Sequence, residues 1–181
     1  MVRFAACLLV TGLALVASAA DVESRVLTHY VPQDVLEAAV RKEGWTVIPL
    51  DVKGGVRKGD VVRIWSGGSI DRGNGDFPGQ YVGGPSGPPG KLPLVDVKEL
   101  ALAQDPALAF ALLFKTEGKG VRRANIPGKP LEIPLVKDKE QLWVGFNDER
   151  GRYHDNHLGR GRRHELDPLW VRIEVVRIIV D

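Results

Sequence analysis

Apolar and polar positions change their period once along this chain. In PQDVLEAAVRKEG, Val35, Leu36, Ala39 and Val40 fall on one helical face. Pro32 stands near the start, Arg41 and Lys42 near the end, and Gly44 is placed to cap, so the segment predicts a short helix. From Trp45 onward the pattern becomes short strands. WTVIPLDV is β-rich, GGVRKGD is a polar turn, and VVRIWSGG from Val61 predicts a buried strand ending in glycines. ALAFALLFK from Ala107 fits a helix or a buried strand, and Asp105-Pro106 could start either. KPLEIPLVK and QLWVGF read as strands. LWVRIEVVRIIV is a long terminal strand whose inward set begins Val171, Ile173, Val175, alternating with Arg172 and Glu174. That alternation breaks at Val175-Val176, where a bulge is expected.

About seven or eight strands with few helices predict an all-β chain folded as a β-sandwich. The four tryptophans are expected in its core, since Trp65 and Trp143 sit inside strands. Residues 69–90, SIDRGNGDFPGQYVGGPSGPPG, form a long polar glycine-rich loop of the kind that often carries function. No internal repeat is visible.

Composition narrows the class. The 181 residues suit one domain with extensions, and 44% hydrophobic with 27% charged residues suffices for a core. A formal net charge of +2 gives no reason to expect a nucleic-acid partner. Residues 1–20, MVRFAACLLVTGLALVASAA, combine Arg3, an apolar run and Ala17-Ser18-Ala19, the pattern of a cleaved secretory signal peptide. The expected organisation is therefore signal peptide 1–20, an N-terminal helical segment 21–44 and a β-sandwich 45–181. The expected location is periplasmic or secreted, with no membrane insertion after cleavage. Cys7 is the only cysteine, so the mature chain would have no disulfide, thiol nucleophile or cysteine metal ligand.

The candidate chemistry lies in FNDERGRYHDN, residues 146–156, directly after the apolar LWVGF. Asp148, Asp155 and Asn156 offer hard oxygen donors, and Gly151 lets the chain turn between them. Ca²⁺ takes six to eight oxygens from carboxylates, amides, carbonyls and water. The spacing is not that of an EF-hand, because the second acid follows seven residues after the first and no Glu closes the loop. An acid-rich solvated hairpin loop with Asx turns is the plain alternative.

GDVVRIWSGG, DFPGQ and GFNDERGRYHDN together resemble the PA-I galactophilic lectin family, small calcium-dependent sugar-binding β-sandwiches. The resemblance runs from about Trp45 to Asp181 and is loose between Gly84 and Lys139. It implies a jelly-roll-like, galactose-binding-like sandwich and a non-enzymatic protein. It further implies Ca²⁺ held by Asp148, Asp155 and Asn156 and by the carbonyls of Arg152 and Arg72. A sugar diol completes the family's calcium shell, and Gln80 matches a sugar-contacting glutamine. Where the family has a histidine three residues earlier, this chain has Phe77, which exchanges a donor for an aromatic face. The implied sugar contacts are Phe77, Gln80, Asp148 and Asp155, with galactose-type glycans as partners. Weak single-site sugar binders gain from multivalency, so a homo-oligomer is also among the expected partners.

Other readings of the same residues stay open at this point. His154, His157 and His164 offer imidazoles for zinc, but H-x2-H-x6-H is not a common zinc spacing. The basic tract LGRGRRHE, diluted by Glu165 and Asp167, reads as a solvated turn. Asp148 with Asp71 or Asp76 could form the carboxylate pair of a glycoside hydrolase. A structural calcium sandwich in a cell-surface assembly, binding no sugar, is the remaining alternative.

Overall fold

Two four-stranded antiparallel sheets share one hydrophobic core, giving an all-β sandwich with a single α-helix. The computed structural model describes residues 22–50, 52–71, 82, 83, 85, 97–125, 128–158, 160, 161, 164, 165 and 167–180. The expected signal peptide, Arg72, Asp76, Phe77 and Gln80 lie outside the described residues.

In chain order the elements are β1 (Val22–Tyr30), α1 (Gln33–Arg41), β2 (Thr46–Ile48), β3 (Val61–Gly67), β4 (Ile70–Asp71) and β5 (Val82–Gly83). There follow β6 (Leu112–Thr116), β7 (Lys119–Arg123), β8 (Leu131–Pro134), β9 (Leu142–Phe146), β10 (His157–Leu158), β11 (Arg160–Gly161), β12 (His164–Glu165) and β13 (Trp170–Val180). The first sheet has the order β1-β13-β3-β8 and the second β2-β9-β6-β7. A smaller sheet, β10-β4-β5, lies beside the candidate loop, and β11 pairs with β12.

The core follows the two-residue period of the strands. Val62 and Ile64 of β3 and Val171, Ile173 and Val175 of β13 are buried from the first sheet. Ile48, Leu112, Phe114, Leu142, Val144 and Phe146 meet them from the second. Helix α1 buries Leu36, Ala39 and Val40 and packs against β2, β9 and β10. Each of these Val, Leu, Ile and Phe side chains contributes about 1.5–3 kcal/mol on burial. A largely buried ion pair joins β13 to the turn before β3: Arg177 Nε and Nη2 donate to Asp60 at 2.9 and 2.7 Å, and Nη2 also reaches the Gly55 carbonyl. Burial alone would raise the Asp60 pKa. The hydrogen bonds from Arg177 and from the Arg57 amide outweigh it and hold the carboxyl below its ordinary range.

Several expectations change. The terminal strand has no bulge at Val175-Val176, because its register with β1 and β3 runs through both residues without a shift. Val176 simply points outward, opposite Val26 and Val61. The VVRIWSGG strand is buried on one face only, with Val61, Arg63 and Trp65 half-buried on the other. None of the four tryptophans lies in the core. Trp45, Trp65 and Trp143 are partly exposed, and Trp170 is 41% exposed. The helix ends at Lys42, whose amide bonds the Ala38 carbonyl, and Gly44 takes a left-handed φ of 116° two residues further on. ALAFALLFK divides into a 3-10 turn at Pro106–Leu108, capped by the Asp105 side chain, and strand β6. Strand β1 was not visible in the hydropathy pattern, yet it pairs with β13 along all nine of its residues.

Candidate oxygen-rich site after strand β9

Strand β9 carries the chain into the site and Asn147 fixes its exit. Asn147 is fully buried and its amide is saturated. Oδ1 accepts from the Leu102 and Ala103 amides at 3.1 Å each, while Nδ2 donates to the Ala103 and Leu108 carbonyls at 3.0 and 2.9 Å. The sequence reading gave Asn147 no role. Its function is to staple segment 102–108 beneath the site, and nothing in its local sequence announces partners some 40 positions away.

Asp148 is buried, and its carboxylate is oriented from two sides. Oδ1 accepts from the Glu149 amide at 2.7 Å and Oδ2 from Asn156 Nδ2 at 2.9 Å. The Tyr153 hydroxyl accepts from the Asp148 amide at 3.2 Å and donates to the Phe146 carbonyl at 2.8 Å. Burial, with the Asp148 and Glu43 carboxylates adding to it, pushes the Tyr153 phenol well above its ordinary pKa. The tyrosine is therefore a neutral strut inside the loop.

Gly151 makes the turn at φ 77°, a region that disfavours a side chain, and its amide donates to Glu43 at 3.3 Å. Arg152 pairs with Glu149 at 2.9 Å and leads into a 3-10 turn at Tyr153–Asp155. Asn156 follows, fully buried. Its Nδ2 donates to the Val40 carbonyl at 2.9 Å as well as to Asp148, so it satisfies one of the free carbonyls at the end of α1. Strand β10 then pairs with β4 in a register that sets His157 opposite Asp71, the residue before Arg72.

Two oxygens of this loop have no partner. Asp155 Oδ1 and Asn156 Oδ1 are both shielded from solvent and accept no hydrogen bond. Burial raises the Asp155 pKa, against its own backbone amide and the opposing charges of His154, Arg152 and His157. Shielded acceptors without donors cost free energy, and a cation would relieve that cost. The donor set is carboxylate and amide oxygen, which fits a hard ion such as Ca²⁺ rather than a soft one. Among the described residues no three of His, Cys, Asp and Glu are grouped to hold a metal. A cation here would depend on amide and main-chain oxygens beside the two carboxylates.

Of the sequence-derived site residues, the structure brings Asp148 and Asn156 into direct contact and sets Arg152 and Asp155 in the same turn. Arg72, Phe77 and Gln80 lie outside the described residues. His154 is exposed and His157 belongs to β10.

Fold and loop together define an all-β sandwich with a structured, oxygen-lined loop at one end. No protein-family model and no curated protein matches the chain. Among solved structures it is similar to one described as "EclA N-terminal domain; PllA-like lectin", with 13% identity, a TM-score of 0.40, and coverage of 84% of this chain and 94% of that one. A likeness of that size leaves function to be argued from the chain's own residues.

Proposed function

We propose that this chain is an exported, non-enzymatic carbohydrate-binding protein of lectin type, dependent on Ca²⁺ held by Asp148, Asp155 and Asn156. The supporting observation is the pair of shielded, partnerless oxygens on Asp155 and Asn156, beside a carboxylate whose orientation is already set. The carbonyls of Arg152 and Arg72 would complete the protein's share of the shell.

A bound Ca²⁺ would supply open coordination positions at which a vicinal diol of a sugar competes with water. The chain's own residues prepare that surface. Glu149 and Asn156 fix both oxygens of Asp148, Tyr153 braces the turn from within, and Asn156 anchors it to α1. Gln80 and Phe77 are the residues proposed to read the sugar, and galactose-type glycans are the first to test. Phe77, standing where the resembling family has histidine, also favours a second reading, a structural calcium sandwich that binds no sugar.

A thermal melt of the metal-stripped mature protein, with and without calcium, tests the ion. Calcium at 100 times its Kd adds about 2.7 kcal/mol of stability. The shift is expected to vanish in Asp148→Ala, together with calcium-dependent retention on a glycan array. No shift in the wild type overturns the proposal. A shift without any glycan retention selects the structural reading.

A further inference from the structure

The outward face of the first sheet carries side chains that the core and the proposed calcium loop leave unused. Register across β1, β13 and β3 sets Tyr30, Arg172 and Trp65 in one row. Adjacent strands lie ~4.8 Å apart, so the row is about 10 Å wide. In the next row Trp170 stands opposite Gly67. A Cβ at position 67 would come within 2.5 Å of the Trp170 indole, so a residue without a side chain is what admits the ring there. Tyr30 is 65% exposed and Trp170 41%. The Arg172 guanidinium carbon lies 5.0 Å from the Trp65 ring centroid.

Charge on this face is already balanced. Arg63 Nε bonds Glu132 at 2.8 Å and Arg172 Nη2 bonds Glu174 at 3.0 Å. Among the described residues of this face no charge is left unmatched for an ionic partner. A second protein sheet laid over the whole face would have to desolvate both ion pairs, which is costly. A narrow ligand lying only on the aromatic rows meets Arg172 but leaves the Arg63–Glu132 pair wet. Trp65 Nε1 and Arg172 Nε are shielded from solvent and donate to nothing, and Arg172, with 32% of its side chain exposed, can turn its guanidinium toward an acceptor. The face therefore offers ring surfaces, one part-exposed guanidinium and no net charge. A neutral polyhydroxylated chain, with C–H ring faces and many oxygens, complements all three.

We propose that this face is a second carbohydrate surface, on which a neutral, extended polysaccharide lies across Tyr30 and Trp170 without any need for calcium. Native affinity gels of the mature protein in EDTA, cast with a galactomannan or a mixed-linkage β-glucan, test it. Retardation by at least one polymer is expected. Trp170→Ala and Tyr30→Ala should each weaken it about tenfold, the scale of losing one stacked ring. Trp170→Phe should keep most of it, and Asp148→Ala should leave it unchanged. Thermal melts in the same buffer identify any variant that has unfolded. Tyr30→Ala decides the matter if Trp170→Ala does not fold, because its ring is mostly in solvent. Unretarded wild type, or equal retardation of the folded aromatic variants, overturns the proposal. So does a dimer by sedimentation that Tyr30→Ala dissociates, which would give the face to a second copy of the chain. Because every arm is run in EDTA, failure of the calcium reading leaves this test intact.

Discussion

Two inward-facing carboxylates, Glu140 and Asp155, occupy turns of this sandwich and are treated in opposite ways. Glu140 sits between β8 and β9 with the amide of Gly118 at 2.8 Å and those of Val136 and Lys137 at 2.7 and 3.3 Å. Burial alone would raise its pKa, yet the nearby Thr116 hydroxyl and these amides overcome the burial and hold it below the ordinary value. Asp155 has only its own amide as a donor to set against burial. Its Oδ1 accepts nothing and its pKa rises. The contrast separates a carboxylate that completes the fold from one with an oxygen that the fold leaves shielded and without a donor. Burial and charge are shared by both; what differs is the count of amides aimed at the oxygens.

Removing the completed carboxylate should have the largest effect. Glu140→Ala removes the acceptor of three amides, and about 3 kcal/mol of stability should be lost at roughly 1 kcal/mol each. For a chain of this size the melting temperature should fall by about 6–12 °C. A fall of only a degree or two would mean that water replaces the carboxylate, and the contrast with Asp155 would weaken.

Asp155→Asn should do the reverse in metal-free protein. It removes a shielded charge while keeping the shape, so the melt should stay level or rise by about 1 kcal/mol. The calcium-induced shift proposed for the wild type should shrink or disappear. A destabilised metal-free variant would show that Asp155 is paid for by contacts within the loop, and would break the comparison.

The smallest effect should be seen in pH. A depressed carboxyl stabilises the fold above its unfolded pKa, and that stability is lost as pH falls through the folded value. Glu140 should therefore cause loss of stability below its ordinary value of 4.5. Asp155 has the opposite sign. Its folded pKa is raised, so the folded chain binds the extra proton, and stability falls as pH rises from 3.8 through the folded value. Urea titrations across that window, comparing wild type with Asp155→Asn, should show a cost present only in the wild type. Saturating calcium should erase it. An identical pH profile in the two proteins would remove Asp155 from the account.

How much of this was legible follows from where each signal resides. β3, β9 and β13 were readable because their inward sets alternate cleanly. β1 was not, because Val26 and Leu27 point to opposite faces and His29 and Thr28 blur the rest. The tryptophans misled for a related reason. A strand shows which residues share a face but not which face meets the core, and Trp65 and Trp170 belong to the outward rows. Residue type alone marked Asp148, Asp155 and Asn156 as oxygen donors. It could not show that Asn156 spends its amide nitrogen on Val40 and Asp148, that Tyr153 is a strut, or that Asn147 is a staple. Those roles depend on partners that only the folded chain brings near.

The contact between Asp148 and Asn156 has a kinetic and entropic side. These residues are eight positions apart, and their 2.9 Å bond shuts the loop before any ligand arrives. The conformational freedom surrendered in closing it is charged to folding, not to binding. Whatever docks on this loop meets a rim already in place, so its association should run at a rate set by diffusion and desolvation, with no slow ordering step to wait for.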